Sequence, residues 1–297
     1  MVAQSVPIDA ALDAYGRTQF GIADILRRAQ GHAFGAFGLD PNECPYQVIA
    51  SGPFWRLRDY TKHDIAQSLL IVAAPIKRPY IWDLTPAASA IRYCQGQDLR
   101  VRLLEWLPAS RTAGNNGLTE YTEAIAECVA KISGESAGVK PFLIGHSLGG
   151  TLAAIFGALA PDSIRGLVLL GAPLCFRPTT SRFRDALISL VPSGLGDAEP
   201  WLYRENLFCQ GALKIGGTLV GPESVSVPTL AVVNTADDVA LLDSVKPFID
   251  AMPTSDARII EYPGESGVCL QHLGILIGRE AHAQVWPDIA SWIDARR

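Results

Sequence analysis

Five strand-like runs constrain this chain more than any other feature. "SLLIVAAP" (68–75), "PFLIG" (141–145), "GLVLLG" (166–171) and "PTLAVVN" (228–234) are apolar on successive residues, not on alternate ones, and "VRLLEW" (101–106) reads as a strand interrupted by Arg102 and Glu105. A strand that is apolar on both faces has to be covered on both, which is the habit of a parallel sheet. Between and after these runs lie segments with helical spacing. They fall around Ala87 to Gln95, at Thr119, Tyr121, Ile125 and Val129, from about Leu148 to Ala160, and near Leu242 to Ala251. A sixth strand, "ARIIEYP", follows, and a last helix carries Val285, Ile289 and Trp292. Strand and helix in alternation predict a mostly parallel sheet with helices on both faces, whose ligand sites lie beyond the carboxyl ends of the strands.

Two segments stand outside that alternation. "YQVIA" and "FWRLRDY" bracket Ser51-Gly52-Pro53 and read as an antiparallel pair joined by a turn. Residues 175–227, rich in Pro, Gly and aromatics, read as a small cap inserted over the site, with an ordinary long connection as the plain alternative. The resulting division is an N-terminal helical segment over 1–45, a core over 46–174 and 228–297, and a cap over 175–227. The first segment reads as a helix packed on its own domain in preference to a partner- or membrane-binding one.

Charge and cysteine usage narrow the function classes. With 19% charged residues and a net charge of −5, the chain has no basic stripe for nucleic acid. Pairs such as Arg27-Arg28 and Lys77-Arg78 read as solvated surface. No apolar run approaches the roughly 20 residues that span a bilayer, and the opening residues lack a secretion signal, so a cytoplasmic location is expected. The six cysteines (Cys44, Cys94, Cys128, Cys175, Cys209 and Cys269) show no paired spacing and read as reduced, mostly buried thiols.

"GHSLGG" (145–150) stands between a buried strand and a helix whose first turns are built of small residues. This is the setting of a nucleophile elbow, G-x-S-x-G, in which Ser147 occupies a strained turn and projects its hydroxyl above the sheet. Gly145 and Gly149 are expected to leave room where a side chain would meet the neighbouring strand or helix. The helix directs free N–H groups at the same point, and the Leu148 N–H is the expected oxyanion donor. A second donor is expected in the loop after "SLLIVAAP", at about Ile76, since Pro75 has no N–H.

A serine hydroxyl needs a base. Of five histidines, His146 adjoins the serine and is a candidate for the pocket wall; His32 and His63 precede the core sheet, and His282 reads as packing or surface. His272 falls between the last strand and the last helix, at the sheet edge where the elbow opens, and is the expected base. The acid is expected on the loop after "PTLAVVN", at Asp237, with Asp238 as its competitor, while Asp243 reads as a helix-start carboxylate. Trp201 in the cap is a candidate pocket residue. This chemistry needs no metal or organic cofactor.

From about Tyr46 onward these residues resemble the α/β-hydrolase superfamily, and the resemblance implies the α/β-hydrolase fold. The stretch from Leu69 to Trp106, "GGTLAA" and "LVLLGAPLCF" are also similar to polyhydroxyalkanoate synthases. Those enzymes carry cysteine at the nucleophile, where this chain has Ser147, and a histidine after the acid, where it has Asp238. A cysteine holds the acyl group as an activated thioester, which favours transfer to another hydroxyl. A serine oxyester has no such excess energy over the ester that transfer would make, and water becomes the natural acceptor unless the site excludes it.

The sequence is thus read as a serine hydrolase of carboxylic esters, small or oligomeric, working through an acyl-enzyme. By the resemblance, the acyl group is a short or medium hydroxyalkanoate. The alternatives are a synthase-like acyltransferase using 3-hydroxyacyl-CoA and a catalytically silent binding protein. Pairing into a homodimer is left open.

Overall fold

The computed structural model describes residues 43–61, 67–75, 77–107, 117–175, 208–266 and 271–297. The expected N-terminal helix, Ile76, and the first part of the 175–227 segment with Trp201 lie outside the described residues.

An eight-stranded sheet forms the centre, in the order β1-β2-β6-β3-β7-β8-β11-β12. Its strands are β1 (Gln47–Ser51), β2 (Trp55–Asp59), β3 (Ser68–Val72), β6 (Arg100–Trp106), β7 (Phe142–His146), β8 (Gly166–Leu170), β11 (Thr229–Asn234) and β12 (Ala257–Tyr262). From β6 to β12 every neighbouring pair is parallel, and β2 runs antiparallel to both β6 and β1. Small two-stranded ladders join β4 (Asp83–Thr85) to β5 (Ala88–Ser89) and β9 (Leu213–Ile215) to β10 (Thr218–Val220).

The described helices are α1 (Ala90–Gln95), α2 (Leu118–Glu135), α3 (Leu148–Leu159), α4 (Leu242–Asp250), α5 (Gln271–Ile277) and α6 (Arg279–Asp294). The five runs form β3, β6, β7, β8 and β11, and in all but β6, whose first residue Arg100 is half-buried, every strand residue is buried. Among the described residues, edge strand β1 has no further strand on its outer side, and its residues are exposed or half-buried. No described helix is long and apolar enough to cross a membrane.

Chain order reverses between β3 and β7: from β3 the chain moves outward to β6, then returns to the other side with β7. Such a switch point opens a crevice at the carboxyl ends of the strands. Register places Val72 opposite Gly145, His146 opposite Leu170, and Asn234 opposite Tyr262. The segments that carry Lys77, Ser147, Asp237 and His272 therefore all follow the same edge of the sheet.

One sequence expectation is corrected. Cys175 and Cys209 are not free thiols: they form a disulfide across a separation of 34 residues, with Cα atoms 5.2 Å apart. No local spacing announces it, because it arises where the exit of β8 meets the segment leading to β9. Cys44, Cys94 and Cys128 are buried and outside any disulfide, as read. Within residues 208–227, Phe208 packs on Phe248 of α4 at 4.9 Å between ring centroids, and Leu213, Ile215 and Val220 join the main core.

Candidate active site

Ser147 is the single residue between the end of β7 and the start of α3. It sits at φ 59°, ψ −134°, a region that disfavours any side chain and typically stores about 1–3 kcal/mol. Backbone bonds hold it there. Its N–H donates to the Leu170 carbonyl (3.0 Å), and its own carbonyl accepts from Gly150 N–H (2.9 Å) and Thr151 N–H (3.1 Å).

The expected close approaches are present. A Cβ on Gly149 would lie 2.2 Å from the Val72 carbonyl oxygen of β3, and one on Gly145 would lie 2.5 Å from the Gly149 backbone. Only glycine lets α3 begin against the strands so tightly. The Ser147 hydroxyl does not cap the helix.

His272 is the second residue of α5 and not a loop residue, a short helix that the apolar run "LGILI" does not separate from a strand. Its Nδ1 pairs with Asp237 Oδ2 at 2.6 Å. Asp237 is 2% exposed, and its carboxylate also accepts from the N–H groups of Val239 (2.8 Å) and Ala240 (3.4 Å). Its competitor Asp238 is exposed, and Asp243 is an exposed carboxylate in the first turn of α4. The structure thus brings Asp237, and not Asp238, to the imidazole. His272 Nε2 is buried and makes no hydrogen bond, so the Ser147 hydroxyl is not bonded to it.

The electrostatics follow from burial. Burial, reinforced by the Lys77 charge, holds His272 well below the usual histidine value of 6.5. Burial pushes the Asp237 carboxyl up from 3.8, opposed by the Val239 and Ala240 N–H groups and by Lys77. At neutral pH the imidazole is uncharged, donates its Nδ1 proton to Asp237 and presents the Nε2 lone pair.

The loops are pinned together by a polar network. Asn234, at the end of β11, accepts from Ala236 N–H (2.9 Å) and donates to the Gln271 carbonyl (2.7 Å), tying the acid loop to the start of α5. The Gln271 side chain then bonds both the N–H and the carbonyl of Glu265 (3.0 and 2.7 Å). Sequence reading did not single out Asn234 or Gln271, whose partners are 37 residues apart in the chain.

His146, a candidate for the pocket wall, is held by both of its ring nitrogens. It is 1% exposed, its Nε2 lies 2.7 Å from the His272 carbonyl oxygen, and its Nδ1 lies 3.3 Å from Lys77 Nζ. The two imidazoles are 4.7 Å apart between centroids. Lys77, read as solvated surface, is half-buried: the turn after β3, closed by Lys77 N–H to the Ala74 carbonyl (3.0 Å), folds it inward. Burial pushes its ammonium down to about 7, with Asp237 acting in the opposite direction. His282 packs as expected, 5.6 Å from Trp286 and nearly parallel to it.

Comparison with known proteins agrees with this architecture. A family model described as the α/β hydrolase fold matches residues 106–192, which include the elbow. The chain is 25% identical, over 98% of its length and 72% of the relative's, to the poly(3-hydroxyalkanoate) polymerase subunit PhaC of Haloferax mediterranei. With the subunit of the same name from Allochromatium vinosum the identity is 22%, across 98% of this chain and 99% of that one.

Among solved structures, one of the metagenome-derived lipolytic enzymes LipS and LipT superposes with a TM-score of 0.58, at 14% identity, over 86% of this chain and 99% of its own. An α/β hydrolase from a sediment metagenome of the Mar Chica lagoon in Morocco gives a TM-score of 0.54 at 16% identity, over 84% and 99%. With the sheet order, the turn at the switch point and these neighbours in agreement, the chain has the α/β-hydrolase fold and is similar along nearly its whole length to polyhydroxyalkanoate polymerase subunits.

Proposed function

We propose that the chain is a serine hydrolase that cleaves carboxylic esters through an acyl group carried on Ser147. The observation that supports this reading most is the pairing of a strained serine at φ 59° with a His272–Asp237 couple, its carboxylate buried, at the same sheet edge. Ser147 Oγ attacks the ester carbonyl while His272 Nε2 takes its proton, and Asp237 stabilises the imidazolium that forms. The tetrahedral oxyanion is held by the Leu148 N–H, which stands in the first turn of α3, where intrahelical bonding leaves donors without partners. The imidazolium then protonates the leaving alcohol. Water, deprotonated by the same Nε2, attacks the acyl-serine and releases the acid.

The unbonded Nε2 is compatible with this sequence, since the hydrogen bond from nucleophile to base is often long until substrate binds. The relatives' names support a hydroxyalkanoate as the acyl group. They also favour a second reading, in which the acyl-serine passes to the hydroxyl of another hydroxyacyl unit.

Hydrolysis of p-nitrophenyl butyrate by the wild-type protein beside its Ser147→Ala variant tests the first reading. Turnover that vanishes with the hydroxyl is expected, and equal turnover in both would refute it. Supplying 3-hydroxyacyl-CoA separates the two readings: free 3-hydroxy acid marks hydrolysis, and growing oligomer marks transfer.

A further inference from the structure

Three contacts from three separate elements fix the start of α5. Asn234 at the end of β11 holds the Gln271 carbonyl, Asp237 on the loop after β11 holds the His272 ring, and His146 at the end of β7 reaches the His272 carbonyl. Of these, only the His146 contact originates beside the nucleophile. His146 precedes Ser147 and belongs to the strand whose end sets the elbow, so its ring spans the gap between the nucleophile's turn and the base's backbone.

The hydrogen-bond chemistry determines the ring's state. A carbonyl oxygen can only accept, so His146 Nε2 carries a proton. In a neutral imidazole Nδ1 is then an acceptor, and the donor facing it is the Lys77 ammonium. Burial, the Lys77 charge and the nearby His272 all hold His146 well below 6.5, which keeps it neutral. Among the described residues, the charged and titratable groups that act on it are Lys77 and His272, and Asp237 acts in turn on Lys77.

We propose that His146 is a positioning residue for His272: its Nε2–H clamps the His272 carbonyl at a fixed height over Ser147, and Lys77, donating to Nδ1, selects the tautomer that makes the clamp. Neither residue touches the substrate in this role. It rests on the serine-hydrolase reading insofar as the clamp sets the distance between nucleophile and base. The clamp itself is a statement about His272 that does not depend on which reaction follows.

The test compares wild type with His146→Phe, which keeps a flat ring and loses both bonds, and with His146→Gln, whose amide N–H replaces the donor. Expected for His146→Phe is a fall in kcat of about ten-fold with KM within about two-fold, because misplacement of a reacting group costs rate more than binding. His146→Gln is expected to regain most of that loss. A Phe variant with wild-type kcat, or a Gln variant as slow as the Phe variant, would overturn the proposal.

A proton NMR readout stands apart from turnover. The Nδ1–H of His272 bonded to Asp237 should give a downfield signal that persists in wild type and His146→Gln and shifts or vanishes in His146→Phe. The same signal in all three overturns the clamp. If wild type turns over no ester or thioester, the hydrolase reading fails and this signal alone decides the clamp. Should His146→Phe not fold, Lys77→Met replaces it. Removing that cation should lower kcat about three-fold and move the acid limb of kcat/KM to higher pH, whereas an unmoved limb and wild-type kcat refute the role given to Lys77.

Discussion

Replacing Ser147 by glycine should stabilise the protein, and by alanine should not. The residue is at φ 59°, ψ −134°, where a Cβ costs about 1–3 kcal/mol and glycine costs nothing. Alanine keeps the Cβ and therefore the strain. The hydroxyl makes no helix-capping bond, so its removal in either variant sacrifices little. Against the relieved strain stands the greater freedom of glycine in the unfolded chain, about 0.4–1 kcal/mol.

The net gain of Ser147→Gly over Ser147→Ala is then about 0.5–2 kcal/mol. In a domain of this size each kcal/mol moves Tm by roughly 2 °C, so the glycine variant should melt about 1–4 °C above the alanine variant. Thermal unfolding followed by circular dichroism, with both variants at the same pH and concentration, measures the difference. Both should lack esterase activity, so the comparison isolates backbone strain from catalysis. A glycine variant that melts at or below the alanine variant would refute the claim that the elbow is strained.

Asp237→Asn should lower kcat by roughly 10³–10⁴ by removing the carboxylate that orients His272, while Asp238→Asn should stay within about two-fold of wild type; full activity in Asp237→Asn would move the acid elsewhere. The acid limb of kcat/KM should lie below pH 6.5, because His272 is held in its neutral form, and a limb above 6.5 would contradict the burial argument. The same depressed value acts on stability. Below pH 6.5 the unfolded chain binds a proton that folded His272 resists, so this contribution is present above 6.5 and is lost as pH falls, as chemical denaturation at stepped pH would show. Reduction of Cys175–Cys209 should cost about 3–4 kcal/mol on the chain-entropy account, read as a lower Tm with dithiothreitol, and peptide mapping without reductant should recover the two cysteines cross-linked.

How much was legible in the residues differs from element to element. β3, β7, β8 and β11 were readable because burial on both faces demands apolar side chains at successive positions, a pattern little else in a chain of this kind produces. The hairpin of β1 and β2 announced itself through Gly52 and Pro53. The helix α5 did not, because seven residues are too few to display a 3.6-residue period against a run of leucine and isoleucine. At the site, Ser147 was marked by its glycines, each needed for a contact the structure makes with Val72 or with the first turn of α3. Lys77 looked like surface because a charged pair in a loop usually is, and nothing in "PIKRP" shows that its turn folds the ammonium toward His146.

By itself the sequence determined the local conditions: which segments must be covered on both sides, where the chain must turn too tightly for a side chain, and which side chains carry chemistry. These are properties of neighbours in the chain, set by sterics and by the cost of exposing apolar surface. The tertiary structure decided which distant groups meet. Asp237 and not Asp238 lies against His272, Cys175 joins Cys209, and His146 reaches the His272 backbone 126 residues away. Such pairings depend on the order in which strands join the sheet and on the residue-by-residue register of each edge, and a shift of one residue turns every side chain on a strand to the other face.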